Sequence, residues 1–140
     1  MNIQLNIKKS DTKEFIGMVV KFFEQELKLK KSTWTVDVRT KRGMRFEGTR
    51  GYVTYVAPKY LVMVLDSGLD FERLVLTIAH EMVHVKQYAK GQITHKLGYK
   101  TRYWMGKKVR KQYYEQPWEL EAFAKERVLA NKVFQIINMR

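Results

Sequence analysis

The chain has 140 residues, no cysteine, 45% hydrophobic and 13% aromatic residues, and a formal charge of +13. That is enough for one domain with a real core, spanning 1–140, too little for two, too apolar for disorder, and incapable of disulfides. The amino terminus has no apolar h-region and no run approaches the roughly 20 apolar residues of a membrane span, so the expectation is a cytoplasmic or virion-associated protein that neither spans nor inserts into a membrane.

In chain order, residues 2 to 8 alternate as a strand does. A helix follows, entered through Ser10 or Asp11, with Phe15, Ile16, Val19, Phe22, Phe23 and Leu27 on its apolar side. Residues 33 to 39 alternate with period two, Lys41 to Gly51 supplies turns, Tyr52 to Val56 alternates again, and Tyr60 to Leu65 is a continuous β-rich run. Neither repeats nor a low-complexity linker interrupt the order. It predicts an α+β fold, with the direction of the strands left open.

The segment from Asp70 to Lys90 reads as a helix with Ser67 or Asp70 as N-cap and Gly91 as C-terminal stop. Phe71, Leu74, Val75, Ile78, Met82, Val85 and Ala89 recur at about 100° per residue and form a core stripe. His80 and His84 fall on the opposite side, flanked by Thr77 and Gln87. Two histidines four apart lie one turn apart on one face, so both imidazoles can reach one ion, with Glu81 beside any water that ion carries. His80-Glu81-Met82-Val83-His84 is therefore an HExxH pattern, and the chemistry it predicts is zinc-assisted hydrolysis, with two surface or core histidines as the plainer reading.

A catalytic zinc takes three protein ligands and keeps a position for water. The remaining histidine, His95, sits in a Gly-, Lys- and Thr-rich stretch that reads as a loop, so the third ligand is sought among carboxylates. Pro117 suits a helical first turn, and helical periodicity continues to about Asn138. Its apolar face holds Trp118, Ala122, Phe123, Leu129, Ala130, Val133, Phe134, Ile136 and Ile137, with Glu119 in the middle. Glu121 projects to the far side among Lys125 and Lys132. An unpaired carboxylate on a buried face costs several kcal/mol unless a cation or strong donor compensates it, so Glu119 is the preferred ligand and Glu121 the fallback. Glu126 also falls on the buried side; a salt bridge to Lys or Arg is slightly preferred for it over orienting a ligand histidine.

His80 to His84 with Gln87, followed by Pro117-Trp118-Glu119-Leu120-Glu121-Ala122, resembles the small zincin-type metallopeptidases of phage genomes. The ExxA element is similar to that of the wider gluzincin group, whose first Glu completes the zinc site; both Glu119–Ala122 and Glu121–Ala124 fit it, and the helical projection favours Glu119. Arg102 to Val109 also looks like the Trp-containing hairpin that precedes the third ligand in such proteins. SprT-like proteases share the HExxH helix but usually finish the site with a third histidine, so the resemblance does not extend to them. What it implies is a zincin-like fold: a small sheet packed against an N-terminal helix and the HExxH helix, a C-terminal helix bearing the third ligand, and substrate along an exposed sheet edge.

The function expected is a zinc peptidase with one ion on His80, His84 and Glu119 and with Glu81 as general base. Tyr113, Tyr114 or His95 could stabilise the oxyanion, although any single Tyr could equally be core. The rival expectations are hydrolysis of something other than a peptide and a non-catalytic virion structural or nucleic-acid-binding module. From Lys86 to Lys111 there is no acidic residue but nine Lys and Arg, interleaved with Tyr and Trp. That mixture suits single-stranded nucleic acid or an acidic protein partner, and it also suits a merely solvated basic surface.

Overall fold

The computed structural model describes residues 1–95, 102–109 and 115–138, apart from the side chains of Arg45 and His95. The elements are β1 (Asn2–Asn6), α1 (Ser10–Glu26), β2 (Thr35–Lys41), a 3-10 turn (Met44–Glu47), β3 (Gly51–Ala57), β4 (Tyr60–Asp66), α2 (Phe71–Ala89), β5 (Ile93–His95), β6 (Arg102–Trp104), β7 (Lys107–Lys108) and α3 (Pro117–Asn138). The order predicted from periodicity is the order found. Strand ends move by up to two residues, and β5 joins the predicted hairpin as a third strand.

The architecture is α+β. A four-stranded sheet runs β1-β2-β4-β3, with β1, β2 and β4 parallel and β3 antiparallel to β4 at the edge. Register explains which face is apolar: Ile3 pairs with Val36, Leu5 with Val38, Val36 with Leu61, Val38 with Met63, and Val53 with Met63. Because successive side chains alternate, these residues share one face, and that face meets the helices. Val36, Val38, Leu61, Met63 and Leu65 are fully buried there, with Ile16, Val20 and Phe23 of α1 and Val75, Ile78 and Met82 of α2. Each such side chain contributes roughly 1.5–3 kcal/mol, so the sheet–helix layer forms a rigid base for whatever α2 carries. On the other face, Asp37 is held by Asn6 at 2.6 Å, Arg39 at 2.8 Å and Tyr60 at 3.1 Å.

Two local features place β3 and the hairpin near α2. A Cβ on Gly51 would stand 2.9 Å from both Thr77 Cγ2 and the Val64 carbonyl oxygen, so the missing side chain lets the start of β3 lie close against α2. Met105 and Gly106 join β6 to β7 with φ of +50° and +83°, the two consecutive positive values that a tight type I′ hairpin turn requires. No described helix is long and apolar enough to cross a membrane.

Candidate metal centre

The functional face of α2 is set by how the helix is capped and covered. Of the two predicted caps it is Asp70 that serves, its carboxylate accepting from Arg73 N–H at 2.9 Å. At the other end Gly91 adopts φ of +72° just after Lys90. Every residue from Thr77 to Tyr88 is buried, because α1 and β4 pack against the apolar side while α3 and β3 close over the histidines. Phe71, predicted for the core stripe, is largely exposed, although its ring still packs on Phe15 and Phe134.

α3 brings Glu119 to both histidines. Its Oε1 lies 3.0 Å from His80 Nε2 and 2.7 Å from His84 Nε2. All three side chains are buried, and their candidate ligand atoms lie within 4.8 Å of one another. Ala122, one turn on and fully buried, lets α3 approach α2 closely. Glu121 goes elsewhere: Lys86 Nζ donates to both its oxygens at 2.8 Å, Gln87 Nε2 donates at 2.9 Å, and Lys125 at 2.9 Å. Burial pushes the Glu121 carboxyl up, but those donors outweigh it and hold its pKa at about 2. It is a structural carboxylate, partly covered rather than fully solvated.

The hydrogen-bond roles test whether the donor set fits a metal. Gln87 is fully buried, and its Nε2 faces two acceptors, the Trp118 carbonyl at 2.9 Å and Glu121. Its Oε1 must therefore be the atom 2.8 Å from His84 Nδ1, and it accepts the proton that Nδ1 carries. With Nδ1 committed to Gln87, His84 Nε2 faces the Glu119 oxygen at 2.7 Å, the ring nitrogen left to bind a proton or a metal there. His80 is similar: Glu126 Oε1 lies 3.6 Å from its Nδ1, on the side away from Glu119. In the absence of metal a proton fills the role there. Burial lowers the His80 pKa, but Glu119 and Glu126, aided by Glu81, outweigh it and raise it to about 10. A tetrahedral zinc site sets neighbouring ligand atoms roughly 3.3 Å apart, so the two His–Glu distances of 3.0 and 2.7 Å need lengthen only slightly within a cluster that already spans no more than 4.8 Å. The residues fit the group.

Glu126 corrects the preference drawn from sequence: it faces His80, not a Lys or Arg. On α3 the projection also overstated the core. Phe123 is 46% exposed, and Ile136 and Ile137 are exposed as well. A helix of this length extends beyond the layer that could cover its far turns, while Phe123 has a different neighbour: its ring meets the His80 imidazole edge-on, 4.8 Å between centroids.

Around the triad runs a two-part cleft. One part, about 630 Å³, is lined by Arg50, Gly51, Thr77, His80, Phe123 and Glu126 among others. The second, about 310 Å³, lies between β3 and the hairpin and includes Tyr52, Val53, His84, Tyr88, Arg102 and Glu119. Glu81 lines both, and burial pushes its carboxyl up against the opposing pull of His84 and His80. Tyr88 stacks on Tyr55 at 6.0 Å and packs on Trp34 at 6.4 Å, which fixes the floor of the second part.

The structure thus brings His80, Glu81, His84 and Glu119 together. Tyr113 and Tyr114 lie outside the described residues, as does the side chain of His95. Sequence reasoning missed the contact of Gln87 with His84 and the place of Arg102 on the wall of the cleft. For Gln87 a signal existed, since it follows His84 by three residues on the same helical face; for Arg102 the sequence offered only one more cation in a basic run. No protein-family model, curated protein or solved structure matches this chain, so the reading of the site rests on its own geometry.

Proposed function

We propose that this chain is a zinc-dependent metallopeptidase with a zincin-like fold. The observation that carries the reading is the convergence of two α2 imidazoles and one α3 carboxylate, with Nδ1 of His84 committed to Gln87 and Nε2 turned inward. One zinc ion held by His80, His84 and Glu119 would supply Lewis acidity, polarising a carbonyl and acidifying a water. Glu81, adjacent to His80 and lining both parts of the cleft, takes the proton from the attacking water and delivers it to the departing amine. Its burial favours the protonated form between those two steps. Phe123 shields one side of the His80 ring, and Gln87 and Glu126 hold the two imidazoles in orientation.

Support for a peptide as substrate comes from β3. It is one of the two edge strands of the sheet, and Gly51, Tyr52 and Val53 line the cleft beside the triad. An extended peptide can add to such an edge through backbone hydrogen bonds while its side chains fall alternately into the cleft and towards solvent.

The test is metal analysis of the purified protein together with cleavage of an unbiased peptide library. Glu81→Gln should retain zinc and lose hydrolysis, whereas Glu119→Ala should lose the metal. Equal zinc content in both variants, or library cleavage by Glu81→Gln at the unsubstituted rate, refutes the assignment.

A further inference from the structure

Arg102 stands in the smaller part of the cleft, across from His84 and Glu119. It is half-buried, and its guanidinium carbon sits over the Trp118 ring, 5.4 Å from its centre, a cation–π contact that restrains the side chain. Its charge is close enough to Tyr88 to act on the phenol. No described carboxylate pairs with it, and the stretches 96–101, 110–114 and 139–140 contain no Asp or Glu. The two carboxylates that share its pocket are Glu119, held between the histidines, and Glu81. A half-buried guanidinium that lies over an indole, lines a cleft and has no acidic partner among the described residues has the chemistry of a bidentate receptor for an oxyanion.

We infer that Arg102 is a specificity-determining residue that receives a carboxylate of the bound peptide, on the side of the reacting centre that faces the β6–β7 hairpin. The identity of the ligand as a peptide rests on the peptidase reading above. Two sources share this chemistry, an acidic side chain and a free C-terminus. Trp118 reaches the site from the same turn of α3 as Glu119, so the hairpin that carries Arg102 and the helix that carries the third ligand are tied together at this contact.

The inference is tested by binding, which needs no turnover. Zinc-loaded Glu81→Gln protein is titrated with matched peptides: Glu against Gln at each position, and free against amidated C-termini on an otherwise neutral sequence. One carboxylate arm should bind about tenfold more tightly than its neutral match, the value of a single charged hydrogen-bonded pair, and the arm that does so names the source. Added Arg102→Gln should bring that ratio to near one, and Arg102→Lys, which keeps the charge and loses the fork, should leave it between. Lys107→Gln, at an exposed position on β7 of the same hairpin, should not move the ratio; if it does, the preference reflects the overall +13 charge and the inference fails. Ratios near one in the unsubstituted site, or an unchanged ratio in Arg102→Lys or Arg102→Gln, also overturn it. Library cleavage without a carboxylate preference would sink this inference alone, and an Arg102-dependent preference without cleavage would sink the peptidase reading alone.

Discussion

Replacing Gln87 by Leu separates the support of the site from its ligands. The side chain is fully buried and makes three hydrogen bonds, to His84 Nδ1 at 2.8 Å, the Trp118 carbonyl at 2.9 Å and Glu121 at 2.9 Å. Leu is close in volume, so no cavity arises and the loss is polar. A buried imidazole N–H is stranded at about 1–3 kcal/mol, while the Trp118 carbonyl, which still accepts within α3, and Glu121 each lose a bond worth about 1 kcal/mol; the apolar gain of Leu offsets part, which puts the net loss near 3 kcal/mol. For a chain of this size that lowers the melting temperature by about 10 °C. Separately, His84 loses the acceptor that keeps its Nε2 lone pair turned inward, and removal of such a partner weakens metal binding by roughly 10–100-fold. Urea denaturation of the metal-free protein measures the first effect and competition with a zinc chelator the second. A variant with unchanged zinc affinity refutes the tautomer argument even if stability falls as calculated. Gln87→Glu sharpens the comparison: it restores an acceptor for His84 but faces the Trp118 carbonyl and Glu121, so it should regain part of the zinc affinity while staying unstable.

Zinc at a hundred times its dissociation constant should stabilise the folded protein by about 2.7 kcal/mol, an increment that a strong chelator removes; melting curves that ignore both additions count against the triad as a metal centre. Glu121, held at about 2 in the folded chain against an ordinary 4.5, contributes stability that is present above pH 4.5 and disappears as pH falls from there through 2. Asp37 acts in the same direction, because its donors Arg39, Asn6 and Tyr60 outweigh burial and depress its pKa. Urea midpoints should therefore stay nearly level from pH 7 to 5 and fall by pH 3, and Glu121→Gln should flatten that fall; a parallel curve for that variant would show that the Lys86–Glu121–Lys125 cluster plays no part in acid sensitivity. Gly51→Ala should cost about 1–3 kcal/mol, because the new methyl overlaps Thr77 and the Val64 carbonyl. Since it shifts β3 away from α2, peptide KM should rise with the metal content unchanged; loss of zinc instead would mean that the strand supports the triad rather than the cleft.

The chain's periodicities alone predicted the element order, the helix bearing His80, Glu81 and His84, and the placement of Glu119 on a buried face. Those are local properties: a period of two or of 3.6 residues and a cap such as Asp70 act over a few residues and are written in consecutive letters. Choosing between Glu119 and Glu121 was within reach because both lie on one helix, where projection is reliable. Glu126, Phe123 and Arg102 were not, since each depends on a neighbour far away in sequence: the His80 imidazole for the first two, the Trp118 indole for the third. Sheet order was equally hidden, because the β1-β2-β4-β3 arrangement follows from which apolar faces the helices cover. A residue's partners across the core come from the packing of whole elements. Only folding decided that the Arg102 guanidinium of β6 would lie over the Trp118 indole and that the buried Gln87 amide would hold His84.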